Sequence, residues 1–206
     1  MDTKKKIGIM GGTFDPIHLG HLILGEKSYE QLSLSSVLFM PAGHPPHKQH
    51  REGRASDRQR VEMVRLAIAD NPHFELSLRE MNEDGFTYTY RTLEGMKAED
   101  PEAEYYFILG ADSLLAFDSW MKPERIAAAC TVVAAVRNNT STDMLEKELD
   151  RLRRKYNSSF IRLDTENIDV SSHMLREWAG EGRSLKYYLP DSVIDYIRKE
   201  GIYAGL

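Results

Sequence analysis

Apolar and polar positions along this chain alternate between two rhythms, one of strand period and one of helix period. Ile7 to Met10 is an apolar run long enough for one buried strand, closed by Gly11-Gly12. Asp15-Pro16 forces a turn, because the residue before proline avoids helix geometry. Leu19, Leu22 and Ile23 then recur at i, i+3 and i+4, the start of an amphipathic helix. Ser36 to Met40 reads as a second strand, and a loop rich in proline and histidine follows from Pro41 to about Arg54. Ser56 or Asp57 caps a helix whose Val61, Val64 and Ile68 share a face, stopped by Asn71-Pro72. Phe74, Leu76 and Leu78 alternate with polar residues, as in a strand with one face buried. Thr87 to Lys97 reads as a helix, ended by Glu99-Asp100-Pro101.

Tyr105 to Leu109 predicts a central parallel strand, and Thr131 to Val136, the most β-branched segment, predicts another. Leu145, Leu149 and Leu152 mark an amphipathic helix with a charged outer face, read as solvated surface. Phe160 to Leu163 is a last short strand. Ser171-Ser172 opens a helix with Met174, Leu175 and Trp178, and Pro190 starts a final one with Val193, Ile194 and Ile197 inward. Alternating strands and helices predict an α/β fold: a Rossmann-like, doubly wound, mostly parallel sheet with helices on both faces. The expected organisation is one domain over 1–206, with a small C-terminal helical part from about 171. In such sheets ligands bind beyond the carboxyl ends of strands. Gly11-Gly12, Pro41 to Lys48 and Gly110-Ala111-Asp112 all follow strands and are expected at one edge.

Composition narrows the function classes. A net charge of -5 over 206 residues disfavours nonspecific nucleic-acid binding, so any anion site must be a local basic cluster. The single cysteine, Cys130, excludes an intramolecular disulfide, fits a reducing cytoplasm and reads as a small core residue. No apolar run approaches the roughly 20 residues a membrane span needs, and Gly11-Gly12 cuts short any signal-peptide core after MDTKKK.

Candidate chemistry gathers in five stretches. Gly11 and Gly12 have no Cβ, so a ligand can approach the backbone there. His18 and His21 fall at or near the following helix N-terminus, three residues apart on one face, beside N–H groups that suit a phosphate. Such junctions also occur in α/β folds without chemistry, where a histidine is a cap or a surface group. The second stretch, PAGHPPHKQH, offers His44, His47, Lys48 and His50 on a proline-stiffened loop. It lacks the cysteines or helical spacing that zinc favours, and no protein metal site is assigned. Asp112 ends a strand, where it either caps a helix or meets ribose hydroxyls or a magnesium ion. Ser171 and Ser172 open a helix with Arg176 one turn in, and the aromatics of GFTYTYRTL read first as core.

GGTFDPIHLGH, with His18-x-Gly20-His21 inside it, resembles the signature of the bacterial nicotinate-nucleotide adenylyltransferases in the HxGH nucleotidyltransferase superfamily. The later stretches PAGHPPHKQH, GFTYTYRTL, GADSLLAFDSWMKPERI and DVSSHMLR resemble that family's in the same order, over nearly the whole chain. Two departures stand out: His173 where Thr or Ser is usual, and Arg137-Asn138-Asn139 where the family tends to Arg-Pro-Gly.

The resemblance implies transfer of AMP from ATP to nicotinate mononucleotide, giving nicotinate adenine dinucleotide and pyrophosphate. It implies catalytic roles for His18, His21, Lys48 and Arg176. ATP would meet Gly11, Gly12, Thr13, Phe14, His18, His21, Asp112, Arg137, Ser171, Ser172 and Arg176. The acceptor would meet His47, Lys48, Asp112, the backbone at Thr87, Tyr88 and Thr89, and the ring of Trp120. A carboxylate only accepts hydrogen bonds, so a pocket of donors selects it over a carboxamide. Mg2+ would arrive with ATP, the chain would be cytoplasmic, and a homo-oligomer is left open. Two rival readings stand beside this one: a sister transferase using nicotinamide mononucleotide or phosphopantetheine, and a noncatalytic nucleotide sensor.

Overall fold

Strands and helices alternate as the two rhythms require. The computed structural model describes residues 4–43, 53–81, 85–135, 142–165 and 168–204. In chain order its elements are β1 (Lys6–Gly12), α1 (Leu19–Leu32), β2 (Ser36–Pro41), α2 (Asp57–Ala67) and β3 (Phe74–Leu76). Then come α3 (Thr89–Glu99), β4 (Glu104–Gly110), α4 (Ala111–Leu115), α5 (Pro123–Ala129) and β5 (Thr131–Ala135). The last are α6 (Thr142–Tyr156), β6 (Phe160–Leu163), α7 (Ser172–Gly180) and α8 (Asp191–Lys199).

The strands form one sheet in the order β3-β2-β1-β4-β5-β6. The chain begins in the middle, winds out to β3, then returns to β4 and winds the other way, so the reversal falls between β1 and β4. β1 runs parallel to β4 with Ile9 opposite Phe107, and β4 to β5 with Ile108 opposite Val133. β5 runs parallel to β6. This is the expected Rossmann-like α/β fold, and α7 and α8 are its C-terminal helical part.

The chain divides into two compact units, residues 1–11, 24–38 and 88–168 in the first and 12–23, 39–87 and 169–206 in the second. In the first, the central strands bury Ile9, Phe107, Ile108, Val132 and Val133. Leu145, Leu149 and Leu152 of α6 are fully buried, as the stripe predicts. The charged face of α6 pairs with itself and its neighbours, Arg151 with Glu148 and Arg153 with Asp150, as a solvated surface does. In the second unit, α2 buries Met63, Val64 and Ala67, while α8 buries Val193, Ile194 and Ile197. Ser56 is the α2 cap, within a capping box completed by Gln59.

Three expectations change. β3 stops at Leu76, and Leu78 is 40% exposed, because Arg79–Met81 turns into a short 3-10 helix instead of continuing the alternation. α3 begins at Thr89, so Thr87 lies before the helix and Tyr88 is its extended N-terminal flank. α1 buries Gly25 and Ser28, with Leu19, Leu22 and Ile23 half-covered, so small residues form its tightest face. The last strand residue expected at Val136 lies outside the described residues.

Candidate active site

The second unit contains the histidine motif, and the local sequence explains its shape. Phe14 adopts a left-handed φ of 50° and the Asp15-Pro16 bond is cis. Asp15 and Pro16 form a turn before α1. His18 is buried, and its ring lies 3.8 Å from that of His21, centroid to centroid. Phe14 meets His21 edge-on at 5.1 Å. A Cβ on Gly20 would sit 3.0 Å from His18 Nδ1, so the glycine of the motif makes room for the folded-back ring. A Cβ on Gly12 would likewise crowd the Phe14 ring at 3.0 Å.

One hydrogen bond fixes the chemistry of His21. The His18 backbone N–H donates to His21 Nδ1 at 3.3 Å. A nitrogen that accepts cannot also hold the proton of a neutral imidazole, so Nε2 is the protonated donor. A ring with Nε2–H at a helix start is suited to phosphoryl oxygens without having to be charged. The amides contribute less than the sequence suggests. Leu19 N–H is spent on Tyr188 O at 2.9 Å, and His21 N–H on His18 O at 2.9 Å. With the His18 amide also engaged, anion binding at this turn falls more to side chains than to backbone.

Two polar side chains of α7 fasten the turn. Arg176 donates from Nη1 to Asp15 O at 2.6 Å, and Ser172 donates from Oγ to Pro16 O at 2.9 Å. Ser171 caps α7, accepting from Met174 N–H at 3.2 Å. So α7 brings Ser172 and Arg176 to the motif turn, as the sequence reading needs. Burial, with Arg54 nearby, pulls the Arg176 pKa below its ordinary value. His173, the departure from the family pattern, is exposed and pairs with Glu177 at 3.3 Å.

Two residues that pattern reasoning passed over do as much. Arg60 of α2 is buried and donates to Thr13 O at 2.7 Å and to Ala42 O at 2.8 Å, while pairing with Asp57 at 2.7 Å. Asp15 is buried, with its carboxylate accepting from Arg54 at 3.0 Å, Ala55 N–H at 3.1 Å and Tyr203 Oη at 2.7 Å. The signal available in sequence was only the type: charged residues are seldom buried unless paired.

The first unit holds the remaining candidates. Gly11 lies near the end of β1, with Phe107 3.4 Å from where its Cβ would be. Asp112 is exposed in the first turn of α4, whose N-cap is Gly110, so it is not the helix cap. Trp120 is half-buried between the outright core fate and a free ring, packing on Phe107 and Phe117 at 6.0 Å each. Tyr88 and Thr89 are half-buried at the start of α3, and Arg91 lies over the Tyr88 ring at 5.4 Å. Thr87, in the second unit, is buried. His47, Lys48 and Arg137 lie outside the described residues. Burial pushes the Cys130 thiol up to about 12, and its Sγ donates to Ile126 O, which makes it a poor nucleophile.

No three His, Cys, Asp or Glu side chains among the described residues cluster to hold a metal ion. Mg2+ is commonly held through substrate phosphates and one or two carboxylates rather than in an all-protein cage. Asp112 is an exposed carboxylate of the kind that mode of binding uses.

The chain is similar to known proteins over nearly its whole length. A Cytidylyltransferase-like family model matches residues 9–178. A probable nicotinate-nucleotide adenylyltransferase of Lachnoclostridium phytofermentans is 41% identical over 199 residues, 97% of this chain and 99% of that one. One from a Thermoanaerobacter species is 38% identical over 205 residues, 98% and 96% of the two chains. Among solved structures, a Plasmodium falciparum nicotinic acid mononucleotide adenylyltransferase complexed with NaAD is similar in fold, with a TM-score of 0.78. It is 20% identical and covers 97% of each chain.

Proposed function

The chain belongs to the nicotinate-nucleotide adenylyltransferases, within the Cytidylyltransferase-like family, and from that premise we infer that it transfers AMP from ATP to nicotinate mononucleotide. The products are nicotinate adenine dinucleotide and pyrophosphate. The observation that carries the reading is near-full-length similarity to these relatives, joined to an HxGH turn in which the His18 amide occupies His21 Nδ1 and leaves Nε2 as the donor.

The acceptor's phosphate is already an anion, so the reaction needs no general base. One of its oxygens attacks the α-phosphorus of ATP in line. The new P–O bond forms as the bond to the bridging oxygen breaks, and that electron pair leaves on pyrophosphate. Catalysis then consists of positioning and of stabilising charge. His21, through Nε2–H, meets the α-phosphoryl oxygens, with the His18 ring behind it. Thr13 helps hold the same group, and Lys48 and Arg176 supply cations. Arg176 acts at least in part by holding Asp15, since one of its donors is spent there.

Mg2+, carried by the triphosphate, would neutralise charge on the leaving group, and Asp112 is the carboxylate assigned to its vicinity. The start of α3 leaves the amides of Thr89 and Tyr90 without partners in the helix, as helix starts do, and these donors suit the nicotinate carboxylate. Trp120 offers a ring face to the pyridine. A cytoplasmic setting is part of the proposal, supported by the lone cysteine; among the described residues no helix is long and apolar enough to cross a membrane.

The test is an acceptor panel. Purified chain, magnesium and ATP are given nicotinate mononucleotide, nicotinamide mononucleotide or phosphopantetheine, and products are separated by chromatography. Preferred dinucleotide formation from the nicotinate acceptor supports the reading. Preference for another acceptor points to a sister transferase, and nucleotide binding without pyrophosphate release from any of them points to a sensor.

A further inference from the structure

Tyr203, in the turn after α8, reaches the motif turn from 188 positions away. Its hydroxyl donates to Asp15 Oδ1 at 2.7 Å, deep enough that Tyr203 is 5% exposed and Asp15 2%. The same hydroxyl also stands 4.0 Å from the Met63 sulfur, so phenylalanine would keep the ring and lose only the hydroxyl's polar contacts. The backbone is held in an uncommon conformation, a left-handed φ of 67°, which for a bulky residue persists only where its surroundings enforce it. The surroundings are a turn closing α8, in which Ile202 N–H bonds Ile197 O at 3.0 Å. Burial and the adjacent Asp15 charge push the Tyr203 pKa well above its ordinary value, so the phenol stays a donor throughout the working range.

Asp15 stands three residues before His18, and its own carbonyl is the acceptor for Arg176 at 2.6 Å. Whatever moves Asp15 therefore moves the start of the histidine turn and the guanidinium of Arg176 together. We propose that Tyr203 is a positioning residue for the transfer reaction, holding the Asp15 carboxylate and, through Asp15, the turn that sets the His18 and His21 rings. This rests on the adenylyltransferase reading and adds the C-terminal turn to its working parts. Tyr203 touches no reacting atom. It acts as a latch at the end of the chain.

Tyr203→Phe keeps the ring and removes the one donor. The control is Ile194→Val, which thins the buried face of α8 without touching Asp15. Each full-length variant is read in three ways: melting temperature, kcat and KM for ATP, and the imidazole nitrogen resonances of 15N-histidine protein. Tyr203→Phe is expected to lower kcat about tenfold, the rate equivalent of one lost bond to a charged group. KM for ATP should stay within about twofold, the signature of a misplaced rather than missing binding group. The His18 and His21 ring resonances should shift. Ile194→Val should lower the melting temperature and leave kcat and those resonances in place. A Tyr203→Phe protein with wild-type kcat, or with unmoved ring resonances, overturns the proposal. If the wild-type chain forms no dinucleotide, the functional reading falls and the resonances alone decide the latch.

Discussion

Replacing Arg60 with methionine probes how strongly the motif turn depends on a buried cation. The guanidinium is 6% exposed and gives two bonds to main-chain oxygens, Thr13 O at 2.7 Å and Ala42 O at 2.8 Å. Hydrogen bonds from charged groups contribute about 1.5–3 kcal/mol each, and acceptors left dry cost on that same scale. The two carbonyls belong to half-covered residues, where water can replace part of the loss. Methionine also keeps the apolar stem in place. The expected cost of Arg60→Met is therefore about 2–4 kcal/mol, somewhat below the full loss of two such bonds because water makes up part of it. For a chain of this size that is a fall in melting temperature of roughly 4–16 °C. Asp57, whose side chain is 36% exposed, is a half-wet partner, so Asp57→Asn should cost less than about 1 kcal/mol. Circular-dichroism melts of the two variants against wild type make the comparison. An Arg60→Met protein that melts with the wild type, or an Asp57→Asn protein that loses as much as Arg60→Met, would refute the claim that the carbonyl clamp is the stabilising element.

Three further outcomes follow from the structure. His21→Ala should lower kcat about a hundredfold or more, the scale for losing one preorganised donor, in a protein whose melt is otherwise intact; wild-type turnover would remove His21 from the mechanism. Burial raises the Asp118 pKa, but hydrogen bonds from Lys155, Tyr156 and Arg151 outweigh it and hold the carboxyl down at about 2. A carboxyl with a lowered native pKa lends stability that is present above its unfolded pKa and is lost as pH falls through the native one. Urea unfolding between pH 5 and pH 2 should therefore show an acid-dependent loss that Asp118→Asn flattens; an unchanged slope would sink the assignment. With its thiol raised to about 12, half-buried Cys130 should react with a disulfide reagent at pH 8 far more slowly in the native protein than in urea, and equally rapid labelling of the native protein would contradict the raised thiol.

The parts of this molecule that sequence made legible are those with local signals. The Leu145, Leu149 and Leu152 stripe, the Ser56 capping box and the β-branched run at Thr131 each carry their own period or cap, and each folds as read. The HxGH turn was legible by resemblance, and the structure adds why glycine stands inside it. What stayed hidden depends on partners far apart in the chain. Asp15 reads only as a turn former, and Arg60 and Tyr203 carry no signal of their own, because no local pattern joins residues separated by 47 or 188 positions. The same holds for Leu19, whose amide looks like an open anion donor until Tyr188 supplies its carbonyl. The shortened β3 fails for a different reason: the alternation at Leu78 is genuine in sequence, but the local turn at Arg79–Met81 outweighs it.

The account stands on the claim that this turn aims His21 at the phosphate undergoing attack. A crystal structure of the full chain soaked with the α,β-methylene analogue of ATP tests that claim most directly. It should show His21 Nε2 within about 3 Å of an α-phosphate oxygen, at ordinary hydrogen-bond distance, with Nδ1 still held by the His18 amide. An analogue bound with its α-phosphate out of reach of that nitrogen would contradict it.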